Sequence, residues 1–299
     1  MDEARVELDP KREAARGLSA LACAFTIWGV LPIYIRALQP VPALQITVHR
    51  MVFCCLFMLG FLQARGVMYE VRVALADPAV RKRLIWSSLL ISVNWLGFVW
   101  AIGQNRTVEA SLGYYINPLV NVVLGVVVLR ERLRPQQWLA VACAAVGVAY
   151  LTWYAHALPW IALMLAGSFG AYGLIRKTVA VDAMAGLASE TLLTSPFAVA
   201  YMVYCELQGT GAFLSGDIGT LVMLALSGVL TALPLWLFAF GARRVPYSTV
   251  GLMQYIGPTL SLGVGVFLFH EPFSPGRAVG FAFIWAGCVI YARDSFKAR

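Results

Sequence analysis

Leu112-Gly113-Tyr114-Tyr115-Ile116-Asn117-Pro118 and Leu252-Met253-Gln254-Tyr255-Ile256-Gly257-Pro258 are one phrase written twice, 140 residues apart. Outward from it the register holds without a gap. Gly125 answers Gly265, Glu131 answers Glu271, Pro135 answers Pro275 and Gly147 answers Gly287. Self-similarity at a fixed offset marks a chain built from two copies of one unit. How often each copy crosses a membrane then decides the architecture.

Composition places the chain in a bilayer. It is 60% hydrophobic and 13% charged, with a mean hydropathy of +0.75, against about 25% charged residues in soluble domains. The net charge of +8 does not mark a nucleic-acid partner, because the cations sit between apolar runs, where they set membrane orientation. The six cysteines (Cys23, Cys54, Cys55, Cys143, Cys205 and Cys288) fall in or beside apolar runs with no CxxC. They read as small hydrophobic fillers. The charged N-terminus lacks a small-residue cleavage signal, so the first apolar run is expected to stay as a span.

A span needs about 20 mostly apolar residues. Ten such stretches run over 17–37, 43–63, 84–104, 108–129, 135–153, 157–176, 186–206, 218–240, 246–269 and 275–292. Five precede His156 and five follow it, and five is odd, so the halves are expected to lie in opposite senses. With both termini in the cytoplasm, nineteen Lys and Arg fall inside and three (Arg36, Arg106, Arg277) outside, with Arg50 inside a span. That asymmetry supports both count and orientation. The reading is an all-α membrane protein of ten transmembrane helices: two inverted five-helix repeats, 17–155 and 156–292, around a central cavity. A cytoplasmic segment 1–16 and a tail 293–299 flank them, and the 64–83 linker lies along the cytoplasmic headgroups. Inverted repeats of this kind are the architecture of alternating-access carriers.

Charges inside spans mark candidate sites, since each costs about 2.5–3.5 kcal/mol on insertion scales. Arg50 and Glu190 stand at matched positions of the two repeats. Two readings stay open: an ion pair that locks the halves, or contacts to a charged substrate or coupling proton. Arginine keeps its proton, so Glu190 is the candidate proton carrier. His49, about 100° round the helix from Arg50, fits an interior histidine better than a relay. Asn94, Asn117 and Gln254 are buried amides that need partners on other helices or on a ligand. Trp28, Trp95, Tyr114, Tyr172 and Tyr255 lie away from span ends, as core packing or as cavity walls.

Pro118 and Pro258 are expected to kink their helices, since an interior proline removes a backbone hydrogen bond and clashes with the preceding turn. Glycines flank each, Gly113 and Gly125 in one copy, Gly257 and Gly263 in the other. They are the candidate hinge or gate. Glu131 and Glu271 are expected to fix the helix–helix turns by accepting backbone or Arg hydrogen bonds, with Pro135 and Pro275 opening the next helices. No phosphate loop, HExxH, nucleophile motif or carboxylate-rich metal site occurs. No enzyme, cofactor or metal is therefore expected, and energy must come from a gradient.

Several strings resemble a known family. The repeated unit with its proline, terminal Glu and following Pro resembles the EamA domain of the drug/metabolite transporter superfamily. Asn94-Trp95, Ala110 to Leu119, Tyr172 to Lys177, Glu190-Thr191, Gln254 to Thr259 and His49-Arg50 resemble its RarD group, across 17–291. The resemblance implies a ten-helix basket around a cavity, alternating access, and small metabolites or amino acids as cargo. Kinship with amino-acid exporters of the YddG kind implies gating by the fourth and ninth helices, carried here onto Pro118 and Pro258 only. The expected function is a secondary carrier of the bacterial inner membrane that exports small polar metabolites, amino acids first. Arg50 and Glu190 would meet the carboxylate and ammonium. Membrane lipids and the small molecule are the expected partners, and a monomer the expected state. Drug efflux is the rival cargo; a non-transporting sensor or a multispan enzyme on a lipid-linked substrate are rivals of other classes.

Overall fold

The computed structural model describes residues 10–130, 134–214, 217–242, 244–245 and 253–297. Glu131 and Leu252, both invoked above, lie outside the described residues, as do four of the inside cations, Arg5, Arg132, Arg243 and Arg299. The regular structure among the described residues is helical throughout. It comprises α1 (Pro10–Ala37), α2 (Ala43–Ala64), α3 (Tyr69–Ala76), α4 (Pro78–Gly103), α5 (Thr107–Leu129) and α6 (Pro135–Ala155). Then follow α7 (Trp160–Thr178), α8 (Ala183–Leu207), α9 (Ile218–Ala242), α10 (Ile256–Gly263, continuing as a π-turn over Val264–Leu268) and α11 (Pro275–Lys297).

Each expected span finds a helix, but two starts move. Asp77 caps α4, its Oδ1 accepting from Ala79 N at 2.8 Å and Val80 N at 3.3 Å, with Pro78 at the first helical position. An N-cap acid followed by proline opens a helix efficiently, so Arg81, Lys82 and Arg83 ride on α4 rather than in the linker. The rest of that linker coils as α3. At the other end α1 extends back to Pro10, where Glu13 pairs with Arg16 and with Arg244, each at 2.9 Å. The Arg16 hydrogen bond, with Arg244 beside it, holds the Glu13 carboxyl below the usual carboxylate range.

Among the described residues six helices are long and apolar enough to cross a bilayer: α1, α2, α4, α5, α6 and α9. Apolar stretches of α7, α10 and α11 are shorter. The 25 residues of α8 miss the mark because Ser189, Glu190 and Thr191 interrupt its apolar run. All three are buried against protein, and the hydroxyls bond back to their own helix, Ser189 to Ala185 O at 2.7 Å and Thr191 to Leu187 O at 2.9 Å. Polarity is tolerated in a membrane helix on such terms.

The main helix contacts come in exchanged pairs. α5 packs on α7 as α10 packs on α1, α1 on α9 as α7 on α4, and α2 on α9 as α8 on α4. Adding or subtracting 140 turns one contact of each pair into the other. Where offset mates meet each other, the contact is reciprocal. A Cβ on Gly147 would fall 2.8 Å from Gly280 O, and one on Gly287 2.7 Å from Ala140 O, so α6 and α11 cross at backbone distance. Tyr115 and Tyr255, themselves mates, stack at 6.3 Å and 20°.

The mates differ at the prolines. α5 is unbroken from Thr107 to Leu129, across Pro118. In its counterpart Gln254 and Tyr255 form a turn between the helical residues Met253 and Ile256, and the helix ends in the π-turn. The interruption falls where the expected kink at Pro258 would lie, while α5 shows no matching break at Pro118. The proline ring opposes the carbonyl four residues back, that of Gln254, and Gly257 leaves the chain free to yield there. Asn117 holds that place in α5.

Glu271 also departs from its expected role. It accepts from Thr107 N at 2.7 Å and Val108 N at 2.8 Å, capping the start of α5 rather than fixing its own turn. The carboxylate is buried and meets two N–H groups that the helix itself leaves unpaired. Glu271→Ala is expected to lower stability by about 2–4 kcal/mol, since hydrogen bonds to charged groups contribute roughly 1.5–3 kcal/mol each. A melting temperature in lipid unchanged from wild type would refute that role.

Candidate functional site

A cavity of about 130 Å³ lies between helices of both halves. From α1 it takes Phe25, Trp28 and Leu31, spaced three apart and so on one helix face. Ile91, Asn94, Trp95 and Phe98 supply the facing side of α4 in the same spacing. Tyr114 of α5, Phe169 and Tyr172 of α7 and Leu235 of α9 extend the wall. Gln254, Gly257, Pro258 and Ser261 close it around the start of α10, and Arg50 enters from α2.

Arg50 is the sole charged side chain of that lining. It is 6% exposed, donates from Nε to Thr231 Oγ1 at 2.6 Å, and lays its guanidinium over Trp95 at 4.8 Å from the ring centroid. None of the described carboxylates lies within ion-pair distance of it. The Arg50–Glu190 pair anticipated from their matched positions is therefore absent. Equal depth in two repeats fixes height in the bundle, not facing.

Glu190 is instead bound on three sides. Its Oε1 accepts from Ser87 at 2.6 Å and lies 3.7 Å from Arg176 Nη1, and its Oε2 accepts from Tyr172 at 3.3 Å. At 1% exposure it ties α4, α7 and α8 together outside the cavity, touching it only through Tyr172. Asn94 donates to Leu165 O at 2.9 Å and Ser168 Oγ at 3.0 Å, and accepts from Tyr114 at 3.3 Å.

The structure thus brings Trp28, Arg50, Asn94, Trp95, Tyr114, Tyr172, Gln254 and Pro258 together and leaves His49, Asn117, Glu190 and Tyr255 out, while the Pro118 side chain lies outside those described. His49 bonds through Nδ1 to Gln45 O at 2.7 Å and packs on Phe213, away from the cavity. Asn117 is fully buried with neither amide atom partnered among the described residues. Tyr255 stacks on Tyr115 behind the wall, and Leu119 stands where Thr259 accepts or donates for Tyr115 at 2.7 Å. Thr231, which aims Arg50, was not anticipated, nor were Phe25, Phe98, Phe169, Leu235 and Ser261. Leu235 carries a signal in hindsight, being the offset mate of Trp95. Among the described residues no three His, Cys, Asp or Glu side chains gather as a metal site would require.

Residues 15–153 match the EamA-like transporter family. The chain is 41% identical over 289 residues to the uncharacterized transporter YojE of Bacillus subtilis, covering 95% of this chain and 96% of that one. It belongs to the RarD-type transporters of the drug/metabolite transporter superfamily. Protein RarD of Escherichia coli is 38% identical over 292 residues, 98% of either chain. A crystal structure 19% identical in sequence superposes with a TM-score of 0.59 over 97% of this chain and 99% of that one, which speaks for the fold alone. As a RarD-type transporter the protein is a multi-pass membrane protein of a bacterial membrane that handles a small molecule, and not an enzyme. The cavity just described is a place in this RarD-type chain where helices of both halves surround open space and an arginine faces it.

Proposed function

We propose that this RarD-type transporter is a secondary-active carrier of the inner membrane that works by alternating access. Two inverted five-helix repeats, 17–155 and 156–292, would enclose the cargo site, with both termini in the cytoplasm. The exchanged helix contacts support that reading. The observation that carries it is a cavity walled by both halves and lined by an arginine that pairs with none of the described carboxylates. Small polar metabolites bearing a carboxylate are the proposed cargo, amino acids the first class and export the direction. α5 and α10, with Pro118 and Pro258, are the proposed gate, since the break before Pro258 provides a place to bend at low cost.

Counterflow tests the reading. Liposomes holding the purified protein and unlabelled amino acid are expected to accumulate labelled amino acid transiently, and protein-free liposomes are not. Absence of exchange for every amino acid removes that cargo. The aromatic wall favours a second reading, efflux of a flat lipophilic drug, which the same vesicles would then reveal. Glu190 is the proposed proton carrier of a coupled cycle. If it couples protons, Glu190→Gln abolishes the pH dependence of uptake and leaves exchange intact. A pH response equal to wild type excludes it.

A further inference from the structure

We infer that the cavity selects a monocarboxylate with an aromatic tail and does not recognise a cationic group on its cargo. The inference rests on the carrier reading, in that it takes the cavity as the cargo site, and it narrows what the cargo is.

The hydrogen-bonding capacity of the lining decides the charge. Both sides of the Asn94 amide are engaged, by Leu165, Ser168 and Tyr114. Tyr114 donates to Asn94, Ser261 donates to Gly29 O at 3.0 Å, and Tyr172 donates to Glu190. What remains for a ligand is the Nη pair of Arg50, the Gln254 amide and the indole N–H groups of Trp28 and Trp95. The charge among these is positive, and the acceptors left, the Gln254 carbonyl and the hydroxyl oxygens of Tyr114, Tyr172 and Ser261, are all neutral. A guanidinium already aimed by Thr231 and stacked on Trp95 presents a planar fork, the geometry that holds a carboxylate through two parallel bonds. A buried charge without a partner is costly, and an anionic ligand supplies the partner.

No carboxylate in the lining answers an ammonium. Glu190, which touches the cavity through Tyr172, is already faced by Arg176, Ser87 and Tyr172. An amino group on the cargo would meet only neutral acceptors and ring faces, so it is tolerated rather than read. The tail is set by the rest of the wall, where Phe25, Trp28, Phe98 and Phe169 offer the faces and edges on which an aromatic ring packs.

Three ligands with one ring separate the possibilities: 3-phenylpropionate, L-phenylalanine and phenethylamine, titrated by calorimetry into the purified protein in lipid nanodiscs. 3-Phenylpropionate is expected to bind at least as tightly as L-phenylalanine. Phenethylamine should bind about tenfold or more weakly, the worth of one charge-assisted pair. Arg50→Gln should weaken both acids to the level of the amine. Arg50→Lys, which keeps the charge but loses the fork, should recover part of the loss and carries the test if Arg50→Gln does not fold. Binding of L-phenylalanine without 3-phenylpropionate overturns the inference. So does equal binding of phenethylamine, failure of all three, or unaltered acid binding by a folded Arg50→Gln protein. Acid binding without counterflow of the same acid would overturn the carrier reading and uphold the ligand assignment.

Discussion

Gly228→Ala is expected to unseat α9 from α2 and to weaken ligand binding in the same stroke. A Cβ at Gly228 would fall 2.7 Å from Cys54 N and closer still to the carbonyl of Phe53. All of those atoms are backbone, so relief requires the helices to separate. Overpacking typically costs 1–3 kcal/mol, and more where the backbone must move. The consequence for the cavity follows from position. Arg50 sits one turn before Phe53 on α2, and Thr231, which holds Arg50 Nε, one turn after Gly228 on α9. Parting the helices takes the hydroxyl off the guanidinium. The expected result is a lower melting temperature together with weaker binding of 3-phenylpropionate. Gly167→Ala, where an added Cβ meets no atom within 4 Å, serves as the neutral comparison. A Gly228→Ala protein that melts and binds like wild type would show that this contact yields freely.

Glu190→Ala is expected to destabilise comparably by an electrostatic route. The carboxylate is buried, its partner Arg176 has a side chain 15% exposed, and Ser87 and Tyr172 both donate to it. Breaking such a pair by removing one partner typically costs 3–5 kcal/mol, because the other charge is left buried and unanswered. The lower end, about 3 kcal/mol, fits here, since Arg176 retains the carbonyls of Asp182 and Ala183 at 3.3 and 3.4 Å. Replacing both partners by methionine should restore most of the loss, as apolar side chains of similar volume often match a buried pair. Thermal unfolding of the single and double variants measures this directly. A double variant no more stable than Glu190→Ala would mean that the two charges are not coupled.

Much of the fold was legible because it rests on long-range regularities. Apolar runs of sufficient length located every helix but α3, and the 140-residue offset marked which helices are mates. Residues out of place in lipid, such as Arg50 and Asn94, announced themselves by their cost. Facing was not legible. Arg50 and Glu190 share a depth, yet Arg176, which looked like an ordinary cation at a helix end, reaches Glu190 first. Phe25 and Phe169 stayed hidden because a phenylalanine in a membrane span is the same letter whether it meets lipid, core or cavity. Thr231 stayed hidden for a related reason. A threonine in a membrane helix usually bonds to its own backbone, as this one does with Ser227 O at 2.8 Å, and nothing in its spacing shows that it also accepts from Arg50. Asp77-Pro78 was a readable start signal for α4 that hydropathy alone overrode.

The unlike states of α5 and α10 carry a consequence for how this molecule is balanced. One copy is unbroken through Pro118, and the other is interrupted just before Pro258 and ends in a π-turn. Offset mates held in two shapes would form a seesaw, one arm taking up the other's shape as the cavity changes sides. Asn117, buried with an amide that meets no partner among the described residues, weights the unbroken arm, and Gly257 lightens the opposite one. Swapping the two letters, asparagine for glycine and glycine for asparagine, would then reverse the tilt without altering the inventory of residues.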